Sequence, residues 1–180
     1  MKRAAFVLGL AALGGYLYVA PAALAKDDNK KDAEKALPDN DFLVKAATGN
    51  AMEITLGAIA LRQGASESVR QFGQRLLTDH RSANQTLGLI AREQKITLPQ
   101  QVSQEDLKVV DKFSRLKGND FDRQFIDQMV ADHEKDVSLY EAQAKETKDR
   151  HLKKYIDKTL PVIKRHLKIA RKLQAKAEKR

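Results

Sequence analysis

The sequence predicts an all-α fold: an antiparallel four-helix bundle with an extra short helix in the connection between its two hairpins. Three observations predict it. Beyond residue 40 the chain is dominated by Ala, Leu, Lys, Gln and Glu, which favour helix. It contains no Asn-Gly or Asp-Gly hairpin signal. Its apolar residues recur at three- and four-residue spacing in four long segments, the period of a helix with one buried face.

Local signals place each element. The first helix spans 42–63, with an N-cap near Asn40 or Asp41, and stops at Gly64. Ser66 caps a second helix from Glu67 to about Lys95, before Thr97-Leu98-Pro99. A shorter helix follows Ser103, where Ser103 and Asp106 resemble a capping box, and it ends at Gly118-Asn119. Asp120 opens a long helix to about Lys148. The last helix runs from about Asp149 to the C-terminus, with a kink or local break expected at Pro161. The short links at 64–66 and 148–150 make two antiparallel hairpins, joined by the longer connection at 96–119.

The N-terminal end addresses the chain to a compartment. Lys2 and Arg3 precede an apolar run from Ala4 to Ala20, followed by Pro21 and Ala23-Leu24-Ala25. That order describes a secretory signal peptide over 1–25, cut after Ala25, and a periplasmic or secreted product. The competing reading is an uncleaved anchor, because the apolar run is slightly long. After cleavage no further stretch is apolar enough to span a bilayer. Residues 26–40 read as a flexible polar tether, and 41–177 as the bundle domain.

The chain has no cysteine, which excludes disulfides, thiolate metal sites and a lipidated N-terminal cysteine. Formal charge is +9, and removing Lys2 and Arg3 leaves +7. After His166, Lys168, Arg171, Lys172, Lys176, Lys179 and Arg180 face only Glu178. This end reads first as a solvated helix terminus whose cations complement the helix dipole. Weak contact with anionic envelope surfaces is the sharper reading. Specific nucleic-acid binding is not expected, since no aromatic or Gly-rich motif accompanies the charge.

The apolar stripes contain ionisable residues. The second helix reads Val69, Phe72, Leu76, His80, Ala83, Leu87, Ile90. The next long helix reads Ile126, Met129, His133, Val137, Tyr140, Ala144, and the last reads Leu152, Ile156, Thr159, Ile163, His166, Ala170, Leu173. In each, one histidine takes a position that the period assigns to the core. The first helix does the same with a carboxylate: Ala46, Gly49, Glu53, Leu56, Ala60. Counting residues from each turn at about 1.5 Å per residue, heights within the hairpins differ by roughly 6 Å and 2 Å, so all four groups fall near mid-bundle.

A lone buried histidine is usually a satisfied core residue. An unpaired buried carboxylate, by contrast, costs several kcal/mol or takes up a proton. Three imidazoles and a carboxylate from four helices satisfy one another best around one divalent transition metal: Zn(II), Cu(II), Fe(II) or Mn(II). A metal-free cluster, with Glu53 paired to a protonated histidine, is the alternative. Asn50, Asn84 and Asp136 share helical faces with the four and are candidates for supporting contacts. Asp79 and Asp132 read as pointing away, toward solvent or a helix neighbour. Glu134 and His151 read as surface residues.

Four segments also resemble a known family. They are F-L-V-K-A-A-T-G-N-A-M-E-I-T-L-G at 42–57, L-L-T-D-H-R-S-A-N at 76–84, F-D-R-Q-F-I-D-Q-M-V-A-D-H-E-K-D-V at 121–137 and L-P-V-I-K-R-H-L-K-I-A at 160–170. In this order they are similar to the bacterial family called domain of unknown function 4142, over roughly residues 40–175. The resemblance implies an exported protein of ferritin-like architecture, with Glu53, His80, His133 and His166 on motif positions. It implies no established activity. Ferritin-like di-iron proteins carry Glu-x-x-His on two helices. Here Leu77, Val130 and Ile163 stand three residues before the histidines, so the ligand count matches one metal on three His and one Glu.

Two functions compete on these residues: an exported metal-binding bundle, and a metal-free envelope interaction or stress-response module with a basic C-terminal helix. There is no G-x-S-x-G, H-E-x-x-H or cysteine nucleophile, so no common hydrolase signature supports an enzymatic reading.

Overall fold

The computed structural model of the protein describes residues 34–99 and 102–177. The expected signal peptide, most of the expected tether, and Glu178, Lys179 and Arg180 lie outside the described residues. Among the described residues there are five α-helices and no strand: α1 (Asp39–Gln63), α2 (Glu67–Glu93), α3 (Gln104–Arg115), α4 (Gly118–Glu146) and α5 (Arg150–Ala177).

Two caps form where local chemistry predicts them. Ser66 Oγ accepts from Val69 N, and Ser103 Oγ accepts from Asp106 N. The start of α1 differs from expectation. Pro38 holds the N-cap position without a side-chain cap bond, and the helix begins at Asp39 rather than beside Asn40 or Asp41. The physical reason is tertiary. The Asp39 carboxylate accepts from Gln143 Nε2 at 2.7 Å and from Thr147 Oγ1 at 2.9 Å, both at the end of α4. Gln143 also exchanges hydrogen bonds with both backbone groups of Leu37, and Glu34 N donates to Ser138 Oγ. Residues 34–38 are therefore tied along α4.

The α2 terminus falls at Glu93, where Lys95 adopts φ 58° and Ile96 N reaches back to Ala91 O. This is a Schellman-type ending with lysine in the left-handed position that glycine usually fills. Gly118, also at φ 58°, turns the chain into α4 two residues before the expected Asp120. Asp149 Oδ1 accepts from Leu152 N and starts α5. Contrary to one expectation, α5 runs without a break through Pro161. That proline is on the exposed face, where water can reach the Asp157 carbonyl that it leaves without a helical donor.

The helices form a bundle. The main packing is α1 on α2 and α4 on α5; α2 against α5 and α1 against α4 join these pairs, and α3 lies on α1. Neighbouring long helices are antiparallel. Tyr140 meets Tyr155 while Glu134 meets Arg171, and Gln94 meets Asp149 while Asp79 meets His166. Asp122, buried in α4, fastens the α1–α2 turn by accepting from Ala65 N and Ser66 N, each at 2.8 Å.

The apolar core is divided into two clusters. One gathers Leu56, Phe72, Leu76, Phe113, Phe121 and Phe125; the other gathers Phe42, Leu43, Leu87, Leu139, Tyr155 and Ile156. Each fully buried phenylalanine or leucine contributes about 1.5–3 kcal/mol relative to exposure. Among the described residues, no helix is long and apolar enough to cross a membrane.

Candidate metal centre

Glu53, His80, His133 and His166, one from each long helix, come together as a buried polar layer in that divided core. They are 3%, 3%, 0% and 0% exposed. The structure thus gathers all four residues that the stripes single out. Two glycines help to bring them close. A Cβ on Gly57 would lie 2.8 Å from Gly73 O, and one on Gly73 would lie 2.7 Å from Gly57 O. The α1 and α2 backbones therefore touch here, which glycine alone permits. Glu53 stands one turn from Gly57, and His80 two turns from Gly73.

The three imidazoles form a near-equilateral triangle, with ring centroids 5.2–5.8 Å apart. One nitrogen from each lies within 4.8 Å of the others. Hydrogen-bond partners decide which nitrogens carry protons. His133 Nδ1 is 3.0 Å from Met129 O, and a carbonyl can only accept, so that Nδ1 bears the proton. His80 Nδ1 faces Asn50 Oδ1 at 2.9 Å and Glu53 Oε2 at 3.0 Å, so it donates too. His166 Nε2 donates to Asp79 Oδ2 at 2.9 Å. The remaining nitrogens, His80 Nε2, His133 Nε2 and His166 Nδ1, are buried with no hydrogen-bond partner. In its singly protonated form, each of these imidazoles holds an unused lone pair. This fits a metal, which takes the lone pair opposite a carboxylate- or carbonyl-anchored N–H.

Electrostatics favour a charged Glu53 and oppose protonation of His133 and His166. Burial alone would raise Glu53, but the neighbouring His80 and His133 outweigh it and hold the group at about 2. Burial lowers His133, against the pull of Glu53. Burial and the adjacent His80 lower His166 to about 4, against its bond to Asp79. Asp136 is pushed well above the usual carboxylate range, first by burial and then by the charge of Glu53.

Glu53 itself stands behind two of the rings. Its Oε1 is 3.2 Å from His133 Nδ1, close enough for an ion pair but without hydrogen-bond alignment, and that oxygen has no hydrogen-bond partner. The carboxylate therefore meets the protonated side of His80 and His133.

The supporting residues divide. Asn50 contacts His80 as its helical face suggests. Asp136 lines a small cavity together with Glu53 and His80. Asn84 is half-buried with Oδ1 unpartnered, and the imidazoles bond instead to Asn50, Met129 and Asp79. Asp79 corrects the sequence reading: it turns to a helix neighbour, but that neighbour is His166. Asp132 accepts from Gln128 on its own helix. Glu134 is also corrected, since it is half-buried and 2.9 Å from Arg171. His151 is a surface residue, as read, paired with Glu93 at 3.3 Å. Sequence reasoning missed Gly57, Gly73 and Asp79. Glycines inside a strongly helical pattern were the available signal for the first two.

The family model described as Domain of unknown function (DUF4142) matches residues 23–173, which include all four histidine and glutamate segments. The chain belongs to this family. No curated protein and no solved structure matches it. For this DUF4142 chain, what can be said of chemistry rests on the geometry of the layer itself.

Proposed function

We propose that this DUF4142 protein is an exported, ferritin-like four-helix bundle that binds one divalent transition metal through His80 Nε2, His133 Nε2 and His166 Nδ1. The observation that carries the reading is a buried, partnerless ring nitrogen on each of three histidines whose rings bring one nitrogen apiece within 4.8 Å of the others. A folded protein leaves few such groups unsatisfied without a reason. Glu53, Asn50 and Asp79 orient the rings from behind and raise their basicity, as carboxylates do around histidine-bound zinc. With Glu53 engaged there, the ion has three protein ligands and a free position for water or a small molecule. That is the ligand count of an open site rather than a closed structural one. Imidazole nitrogen suits Zn(II), Cu(II) and Fe(II), and Mn(II) is the weakest match.

Export rests on the order Lys2-Arg3, apolar run, Pro21 and Ala23-Leu24-Ala25. The metal reading is tested by elemental analysis of untagged protein and by thermal titration with each of the four ions. A metal at a hundredfold of its Kd stabilises the folded state by about 2.7 kcal/mol. If none of the four raises the melting temperature of the folded protein, the layer is a metal-free polar network. One contact favours that second reading: Glu53 Oε2 is 3.0 Å from His80 Nδ1, an ion pair if His80 is protonated. It leaves the other lone pairs unexplained.

A further inference from the structure

The molecule contains a second feature tied to this layer, a cleft of about 410 Å³ bordered by α1, α3 and α4. Five carboxylates line it (Glu34, Glu53, Asp106, Asp132 and Asp136) against two ammonium groups, Lys45 and Lys135. Counted formally, five carboxylates against two ammonium groups leave the lining negative, with Asp136 the one most reluctant to ionise, within a chain whose formal charge is +9. The lining is thus opposite in sign to the chain's net charge.

The cleft does not end at its floor. A smaller, more enclosed cavity of about 10 Å³ shares Lys45, Gly49, Glu53, Asp136 and Leu139 with it, and adds Asn50 and His80. That volume holds roughly one water-sized particle. Glu53 borders both spaces, is 3% exposed and keeps Oε1 without a hydrogen-bond partner. That oxygen makes no hydrogen bond and has only the His133 Nδ1 contact at 3.2 Å, so its bonding capacity is not fully used. Gly49 borders both spaces too, and a Cβ built on it finds nothing within 4 Å. The neck is open because this helical position has no side chain.

We infer that this cleft is the route by which a divalent cation reaches the histidine layer: Asp106 and Asp132 gather the ion, Gly49 keeps the neck open, and the path passes Glu53 beside His80. The inference rests on the metal-binding reading above and assigns that site its way in.

The test uses the purified full chain and Co(II), followed by its visible absorption in stopped flow, with release measured by an EDTA chase. In Gly49→Leu a side chain fills the neck without altering charge, and leucine favours helix more than glycine does. Association and dissociation should both slow, by about tenfold or more, with the equilibrium affinity unchanged, because a route lowers the barrier in both directions. In Asp106→Asn/Asp132→Asn, association should fall about tenfold and lose most of its dependence on ionic strength. Lys45→Gln should instead speed association, a change that misfolding cannot produce. Asp120→Asn, an exposed residue paired with Arg123, is the charge control and should change neither rate. If Gly49→Leu exchanges Co(II) as fast as the parent chain, or the control slows association as much as the double variant, the route is elsewhere although the site stands. If the parent chain binds neither Co(II) nor any of the four ions titrated above, the metal reading fails and the route fails with it.

Discussion

Phe125 and His133 lie two turns apart on the same face of α4, yet they belong to layers with opposite character. Phe125 sits among Phe72, Phe113 and Phe121, stacked on Phe121 at 5.6 Å and 11°. Nothing in that layer requires a partner other than another apolar surface. His133 shares its layer with five of the buried atoms left without hydrogen bonds: Asn50 Nδ2, Glu53 Oε1, His80 Nε2, His133 Nε2 and His166 Nδ1. Both layers are equally buried, so burial does not distinguish a site from a core. Unmet bonding capacity does.

The largest expected effect breaks the apolar side of this comparison. Phe125→Ala should cost about 3–5 kcal/mol in denaturant unfolding, by the same amount with and without Zn(II). His166→Leu is its counterpart. It removes an unsatisfied nitrogen and leaves Asp79, 31% exposed, within reach of water. The metal-free protein should lose no more than about 1 kcal/mol, while the stabilisation by Zn(II) disappears. Equal losses in the two variants would make the histidine layer structural.

Gly73→Ala comes next. It forces the α1 and α2 backbones apart and should cost about 1–3 kcal/mol. Because Glu53 and His80 ride on those two helices, Zn(II) affinity should fall as well. Loss of stability with unchanged affinity would show that the close approach does not position the site.

The pH dependence of the metal-free protein sharpens the contrast further. Glu53, lowered from 4.5 to about 2, contributes stability that is present above 4.5 and lost as pH falls through about 2. His166, lowered from 6.5 to about 4, and His133, lowered by burial, are folded as neutral rings. Their effect has the same sign: full stability above 6.5, lost as pH falls toward 4. The melting temperature should therefore decline from pH 6.5 to pH 4. Phe125→Ala should keep this slope, and His166→Leu should flatten it. Metal should leave in the same window, since its ligands must be unprotonated.

The smallest effect belongs to neither layer. Lys95 has φ 58° at the end of α2, a conformation that glycine adopts without strain. Lys95→Gly should raise stability by up to about 1 kcal/mol, by the same increment in the parent, Phe125→Ala and His166→Leu backgrounds. Unequal increments in thermal unfolding would mean that this terminus is coupled to the layers.

Much of this molecule was written in local pattern. The helical character, the Ser66 and Ser103 caps, and the presence of Glu53, His80, His133 and His166 in four buried stripes follow from helical period and capping chemistry. These depend on neighbours three or four residues away, and such neighbours are visible in one sequence. The tertiary structure alone decided the rest. It placed Asp79 on His166, 87 positions away, and Asn50 on His80, 30 positions away. It spent the Asp39 carboxylate on Gln143 and Thr147 rather than on a local cap. It also aimed Glu53 at the protonated edges of two rings and left one bare nitrogen on each imidazole. A periodic stripe says which face of a helix is buried. Which nitrogen holds the proton depends on what the neighbouring helices present to that face, and helical period carries no information about them.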